Sequence, residues 1–303
     1  GAPGKLVTED TVTSLQMTRL ELSNGVRALL YPNKAESGQI RVLVRFGRGY
    51  QAVTPDNGSL LWAGPIVLPE NGIGKLKRTE IDQMVNGRRI ELNFFIDDDA
   101  FQFGANTRPD DLADQLTLIA TKIEHPGWDP APVERAKALA TSGYASFEMS
   151  ATSVLQRDLE YLLRNNDPRW KAAAPADVAK VDAAKFEAYW KPLLAQGPVE
   201  VLLFGDFDKA AAVAALEKID IGQHRKTGGP GAGIRAGDVS RHEVLADDAL
   251  ARAGLLDFGN HRRLPQCNAL LQRAGKATRR ICCLRHAFKF GQTNPRTALG
   301  DFG

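Results

Sequence analysis

Apolar residues recur with period two in the first third of the chain and with period 3.6 over most of the rest. That order of periods restricts the fold more than any single motif. Met17–Leu22 and Val26–Tyr31 flank the turn Ser23-Asn24-Gly25, with Pro32 just after, and read as a hairpin-like pair of strands. Ile40–Phe46 alternates apolar and basic residues in its first half, as a half-buried strand does. A second antiparallel pair is expected at Arg89–Ile96 and Ala100–Ala105, around the turn Asp97-Asp98-Asp99. Between the two pairs, Asp56–Leu68 reads as a helix interrupted at Gly64-Pro65 and closed by Pro69-Glu70-Asn71-Gly72. Thr79 is expected to cap a short helix with Ile81, Met84 and Val85 on one face, ending at Asn86-Gly87.

From Arg108 the period changes. Pro109 suits a first helical turn, Asp110 and Asp111 suit the positive end of the dipole, and Leu112, Leu116, Ile119 and Ile123 share a face up to His125-Pro126-Gly127. Further helices are expected at Val133–Ser150, Ser153–Arg164 and Asp182–Leu194. Val199–Phe204 is a strand of buried type ending at Gly205-Asp206, and an Ala-rich helix follows to about Leu216. Strands, short helices, strands, long helices and one last strand do not alternate as a doubly wound sheet requires. The expected class is α+β, a mostly antiparallel sheet with helices packed on one face, followed by an irregular tail.

Charge divides the chain where the periods stop. Residues 241–303 hold 9 Arg and 2 Lys against 5 Asp/Glu, so a net charge of +3 conceals a basic end and a mildly acidic body. All three cysteines lie in that end, and Thr227–Gly233 ahead of it is rich in Gly and Pro. The expected organisation is therefore residues 1–14 as a cloning scar or linker, 15–222 as the α+β module, 223–240 as a Gly/Pro linker and 241–303 as a basic, Cys-containing tail. That tail is either disordered sequence or sequence out of frame. With 43% hydrophobic and 25% charged residues overall, the chain has enough apolar sequence to bury a core without disulfides. No apolar run of about 18 residues suggests a membrane span.

The chemistry-bearing motifs are mostly missing. There is no G-x-x-x-x-G-K-[ST] loop, no G-x-G-x-x-G after a strand and no G-x-S-x-G elbow, which removes support for nucleotide-dependent and serine-hydrolase readings. A helical zinc peptidase needs two imidazoles one turn apart and a carboxylate to activate water, whereas His125, His224, His242, His261 and His286 are all more than five residues apart. Cys267, Cys282, Cys283 and His286 are the weak candidates for a metal, without the paired knuckles of a structural zinc site. The Asp97–Asp99 turn lacks calcium-loop spacing and reads as solvated, and His125 reads as a capping or surface residue. The tail's phenylalanines are not interleaved with arginine in any nucleic-acid module, so no nucleic-acid partner is expected.

Several phrases, in their order, resemble a module of the pitrilysin/insulinase-type zinc peptidases, the group that includes the mitochondrial processing peptidase. They are Leu22-Ser-Asn-Gly-Val-Arg27, Val42-Leu-Val-Arg-Phe-Gly-Arg-Gly49, Asn71-Gly-Ile-Gly-Lys-Leu76, Asp99-Ala-Phe-Gln-Phe-Gly-Ala-Asn-Thr107 and Val199-Glu-Val-Leu-Leu-Phe-Gly-Asp206. Catalytic modules of that family carry H-x-x-E-H on the first long helix and a further glutamate downstream; the matching stretch here, Leu60–Leu68, has neither histidine nor glutamate. The resemblance thus implies a non-catalytic module that closes a chamber around a substrate peptide beside a catalytic H-x-x-E-H module. Catalytic, cofactor and metal residues are expected to be none in this chain, with zinc in the partner. A stand-alone scaffold or binding subunit, homo-oligomeric, is the alternative, and an active zinc peptidase with scattered ligands the weaker one. The family's substrate-holding Arg and Tyr would fall beyond residue 225 and cannot be assigned. Bacterial relatives are often exported, so the resemblance suggests the periplasm. It also implies a truncated half, with a sheet edge and an apolar helix face left uncovered.

Overall fold

In a computed structural model, residues 3–221 are described. The strands are β1 (Leu6–Val12), β2 (Met17–Leu22), β3 (Arg27–Pro32), β4 (Ile40–Phe46), β5 (Asn93–Ile96), β6 (Phe101–Thr107) and β7 (Val199–Gly205). The helices are α1 (Gly64–Glu70), α2 (Arg78–Met84), α3 (Leu112–Glu124), α4 (Pro130–Ser146), α5 (Ala151–Leu163), α6 (Pro175–Val178), α7 (Ala183–Leu194) and α8 (Lys209–Leu216). The seven strands form one sheet in the order β1-β2-β3-β7-β4-β6-β5. Five of its neighbouring pairs are antiparallel, and only β3 and β7 run parallel. A parallel neighbour needs a long crossover, and the helices between β6 and β7 supply it. They return the chain to the middle of the sheet, where a strand is covered on both edges. Val199, Val201, Leu202, Leu203 and Phe204 are accordingly all buried.

Alternation along β4 decides which face carries the core. Ile40, Val42, Val44 and Phe46 are buried, and their register neighbours Phe101, Phe103, Val199, Val201 and Leu203 share that face. Leu116 and Ile119 of α3, Val67 of α1, Trp190 of α7 and Leu216 of α8 pack on it in one continuous cluster. The helices therefore cover one side, as the periods implied. Phe46 and Phe94 meet Phe101, Phe103 and Trp190 here, with Phe94 edge-on to Trp190 at 5.5 Å between ring centroids. The other face carries a row Leu43–Leu202–Leu29 beside a polar row in which Glu200 lies 3.9 Å from Arg27 and 4.0 Å from Arg45.

Five local expectations are corrected. Residues 1–14 are not a bare linker, because β1 occupies Leu6–Val12 and pairs with β2 along its length. Asp56–Leu68 is not one broken α-helix: Pro55–Ala63 is a 3-10 helix, and α1 starts at Gly64 and runs through Pro69. The cap of α2 is Lys77, whose backbone N–H donates to Glu80 Oε2 at 2.7 Å, and Met84 faces solvent. The strand expected from Arg89 starts only at Asn93, because α3 takes the backbone of residues 89–91. Arg89 N–H donates to Asp111 (2.9 Å), Glu91 N–H donates to Gln115 (3.0 Å), and Gln115 donates back to Glu91 C=O (2.9 Å). The helix expected to reach Ser150 ends at Ser146, and Ser150 instead caps α5 by accepting from Ser153 N–H at 3.1 Å. The 223–240 linker and the 241–303 tail lie outside the described residues.

Candidate functional site

The place to look for chemistry is Leu60–Leu68, which the resemblance aligns with a metal-binding helix. Leu61, Ala63, Gly64, Val67 and Leu68 are all buried. Gly64 lies against Trp190, and a Cβ there would come within 2.2 Å of Trp190 Cζ2. The same indole donates Nε1–H to Leu60 C=O at 3.2 Å, and the neighbouring Tyr189 hydroxyl donates to Asn57 C=O at 2.6 Å. Burial pushes the Tyr189 phenol well above its usual range, so it stays a neutral clamp. The segment is locked into the core by α7.

An H-x-x-E-H triad occupies positions i, i+3 and i+4. Within residues 60–68 only the register Trp62, Pro65, Ile66 keeps all three outside the buried set. None of these side chains offers a lone pair to a cation, and the Trp62 indole is a donor without a partner. The register also straddles the junction of 3-10 and α-helix, where positions i and i+4 do not stack as they do in a continuous α-helix. Residues and backbone alike fail to fit zinc. Among the described residues no group of three or more His, Cys, Asp or Glu could hold a metal ion. Their one histidine, His125, ends α3: its N–H donates to Thr121 C=O and its C=O accepts from Gly74 N–H, both at 2.8 Å. This agrees with a capping role. Cys267, Cys282, Cys283 and His286 lie outside the described residues.

One perturbed amine sits beside α1. Lys122 is 2% exposed, and its ammonium donates to Asn71 C=O and, at 3.3 Å, to Pro69 C=O. Burial brings its pKa down to about 7. A lysine that titrates near neutrality can serve as a nucleophile or base, but this one is sealed and aimed at the last carbonyls of α1. Arg78 adds a 2.7 Å bond to Pro69 C=O, so two cations complement the negative end of that helix. The arrangement is a helix cap.

The Asp97–Asp99 turn is more firmly held than a solvated turn. Asp97 accepts from Gln102, Asp99 pairs with Arg45 at 3.1 Å, and Asp98 takes Arg164 at 2.9 and 3.1 Å. Tyr50 N–H donates to Asp97 C=O at 3.0 Å, and the Tyr50 ring stacks on Trp170 at 4.5 Å between centroids. The guanidiniums of Arg164 and Arg169 lie 4.3 and 4.8 Å from the Trp170 ring. Burial raises the Tyr50 pKa above its usual value, against the lowering field of Arg164. Every carboxylate of the turn is matched by a donor, so the cluster fastens elements together. Sequence reading missed it because Tyr50, Asp98 and Arg164 are far apart in the chain and share no spacing.

The sequence matches no family profile and no curated protein. Among solved structures, the chain is similar to the periplasmic protease PqqL from Escherichia coli, with a TM-score of 0.61 at 16% identity over 77% of this chain and 26% of that one. It is also similar to the ferredoxin protease FusC, solved in complex with Arabidopsis ferredoxin, with a TM-score of 0.59 at 16% identity over 78% of this chain and 26% of that one. A peptidase M16 inactive domain from Pseudomonas fluorescens gives 0.55 at 17% identity, over 72% and 53% of the two chains. The chain thus spans about a quarter of the length of the two proteases and about half that of the inactive domain. Its fold is that of the pitrilysin-type, or M16, peptidase module, the fold that the resemblance implied.

Proposed function

We propose that the chain, whose fold is the M16 peptidase module, is a non-catalytic module of a pitrilysin-type zinc metallopeptidase. It packs with a catalytic H-x-x-E-H module and contributes a wall of the chamber in which that partner hydrolyses a peptide. One observation carries the reading: the helix that would hold the metal is filled with hydrocarbon, with Gly64 closed off by Trp190 and no ligand at Trp62, Pro65 or Ile66. A helix spent on packing has no room for an activated water. The wall would be the sheet face that the helices leave uncovered, where Leu29, Leu43 and Leu202 run beside the charged row of Arg27, Glu200 and Arg45. Similarity to an M16 inactive domain supports the reading at the level of fold.

No step of hydrolysis is assigned to the described residues, because none of them fits zinc. No helix among them is long and apolar enough to cross a membrane. The test uses the purified full chain. Chelation, zinc re-addition and desalting should leave no stoichiometric zinc, and peptide hydrolysis should appear only when a chain bearing H-x-x-E-H is added. Chelator-sensitive hydrolysis by the purified chain alone would refute the proposal, and a stable homodimer with no such partner would favour a stand-alone binding subunit.

A further inference from the structure

We infer that α5 is an arm docked by a polar clasp, able to leave the body as a unit while the core stays folded. The inference is independent of the proposed function. An amphipathic helix ordinarily turns its apolar side to the core, and α5 does the reverse. It has no buried residue, and Val154, Leu155, Leu162 and Leu163 are 37, 39, 57 and 46% exposed. Its attachments are charged and aromatic. Arg164, just past its last turn, takes both oxygens of Asp98 and lies over Trp170. Lys171 sits 5.9 Å from the Tyr161 ring, and Arg157 sits 5.9 Å from Tyr144 on α4. Burial, which holds α3 and α7, does not hold α5.

Both ends have the local structure of a hinge. Asn165 and Asn166 follow the clasp with φ of 56° and 61°, two successive left-handed residues that are not glycine. Before α5, α4 has no buried residue after Ala136. Ser142 and Ser146 donate to Leu139 and Gly143 carbonyls at 3.1 and 2.6 Å, local bonds that compete with the helix ladder. The connecting turn carries Met149, which is 83% exposed. Opening would bare the Trp170 ring and the Asp98 carboxylate, leaving the core cluster intact.

Hydrogen exchange on the full chain tests this. Amides of residues 151–163 should exchange together and far faster than those of α3 or α7. Arg164→Ala and Asp98→Ala should each speed them about tenfold, as loss of a stacked, charge-assisted contact predicts, and leave α3 unchanged. Molar salt should act in the same direction and on the same segment. Leu162→Ser, on the outward side, should change nothing. Three results would each overturn the inference: α5 protected as well as α3, equal acceleration of all elements by Arg164→Ala, or acceleration of α5 by Leu162→Ser as large as that by Arg164→Ala.

Discussion

Gly64 shows how one residue can decide what a helix is for. It has ordinary right-handed dihedrals, so its smallness matters only because Trp190 occupies the place of a side chain. Gly64→Ala should therefore destabilise the fold by about 2–3 kcal/mol, the cost of overpacking a rigid core, despite alanine's better helix propensity. Urea denaturation of the two proteins measures it, and a neutral or stabilising alanine would show that α7 gives way. Lys122 makes a second prediction, through pH. Its folded pKa of about 7 lies below its unfolded value, so the penalty on the charged native form is complete below about pH 7 and fades as pH rises towards 10.5. Stability should climb across that window in the parent and climb less in Lys122→Met, with the difference between the two thermal melts as the readout. Neither effect is legible in the sequence. Gly64 reads there as a helix interruption, and Lys122 as one more basic residue in the last turn of α3, since the partner in each case arrives from a distant part of the chain.

At the scale of elements, local pattern served best where burial decides conformation. Leu112, Leu116, Ile119 and Ile123 predict α3 and are all buried in it, and β2, β4 and β7 fall where period two or a continuous apolar run placed them. The pattern failed where polar contacts decide. The outward apolar side of α5 cannot be foreseen from its periodicity, because an amphipathic sequence does not say which side finds a partner. β1 is exposed along its middle and carries four polar residues in a row, Thr8–Thr11, so it gives no strand signal; β2 makes it a strand by offering an open edge. Leu6 N–H reaching Glu217 at 2.9 Å and the Glu9–Lys209 pair anchor it to the far end of the module. Deleting residues 1–12 should cost about 1–2 kcal/mol, because little apolar area is lost, and lower Tm by roughly 3–8 °C. It should also raise aggregation as β2 becomes the edge. A deletion that leaves Tm and light scattering unchanged would return residues 1–14 to the status of a linker.

The architecture of residues 3–221 follows from one topological choice, the return of β7 to the centre of the sheet after the helices have been laid down. That insertion joins the β1-β2-β3 side to the β4-β6-β5 side, so Val201 and Leu203 meet strands formed long before them in the chain. No local signal encodes it; a doubly wound sheet was excluded by element order, but the position of β7 was not fixed by that order. The helical side then closes on Trp190 and leaves no metal site among the described residues, which yields a prediction for the full chain. A protein that binds a metal only when folded gains stability with the logarithm of free metal over its dissociation constant, so removing the metal lowers Tm. With no such site, melts in EDTA and in zinc should agree within about 1 °C, a change of under ~0.5 kcal/mol for a domain of this size. A larger fall in EDTA would have to come from outside residues 3–221, since no cluster within them can hold the ion. Cysteine substitution at Cys267, Cys282 and Cys283 would then abolish the shift, leaving the reading of α1 as a packing helix untouched.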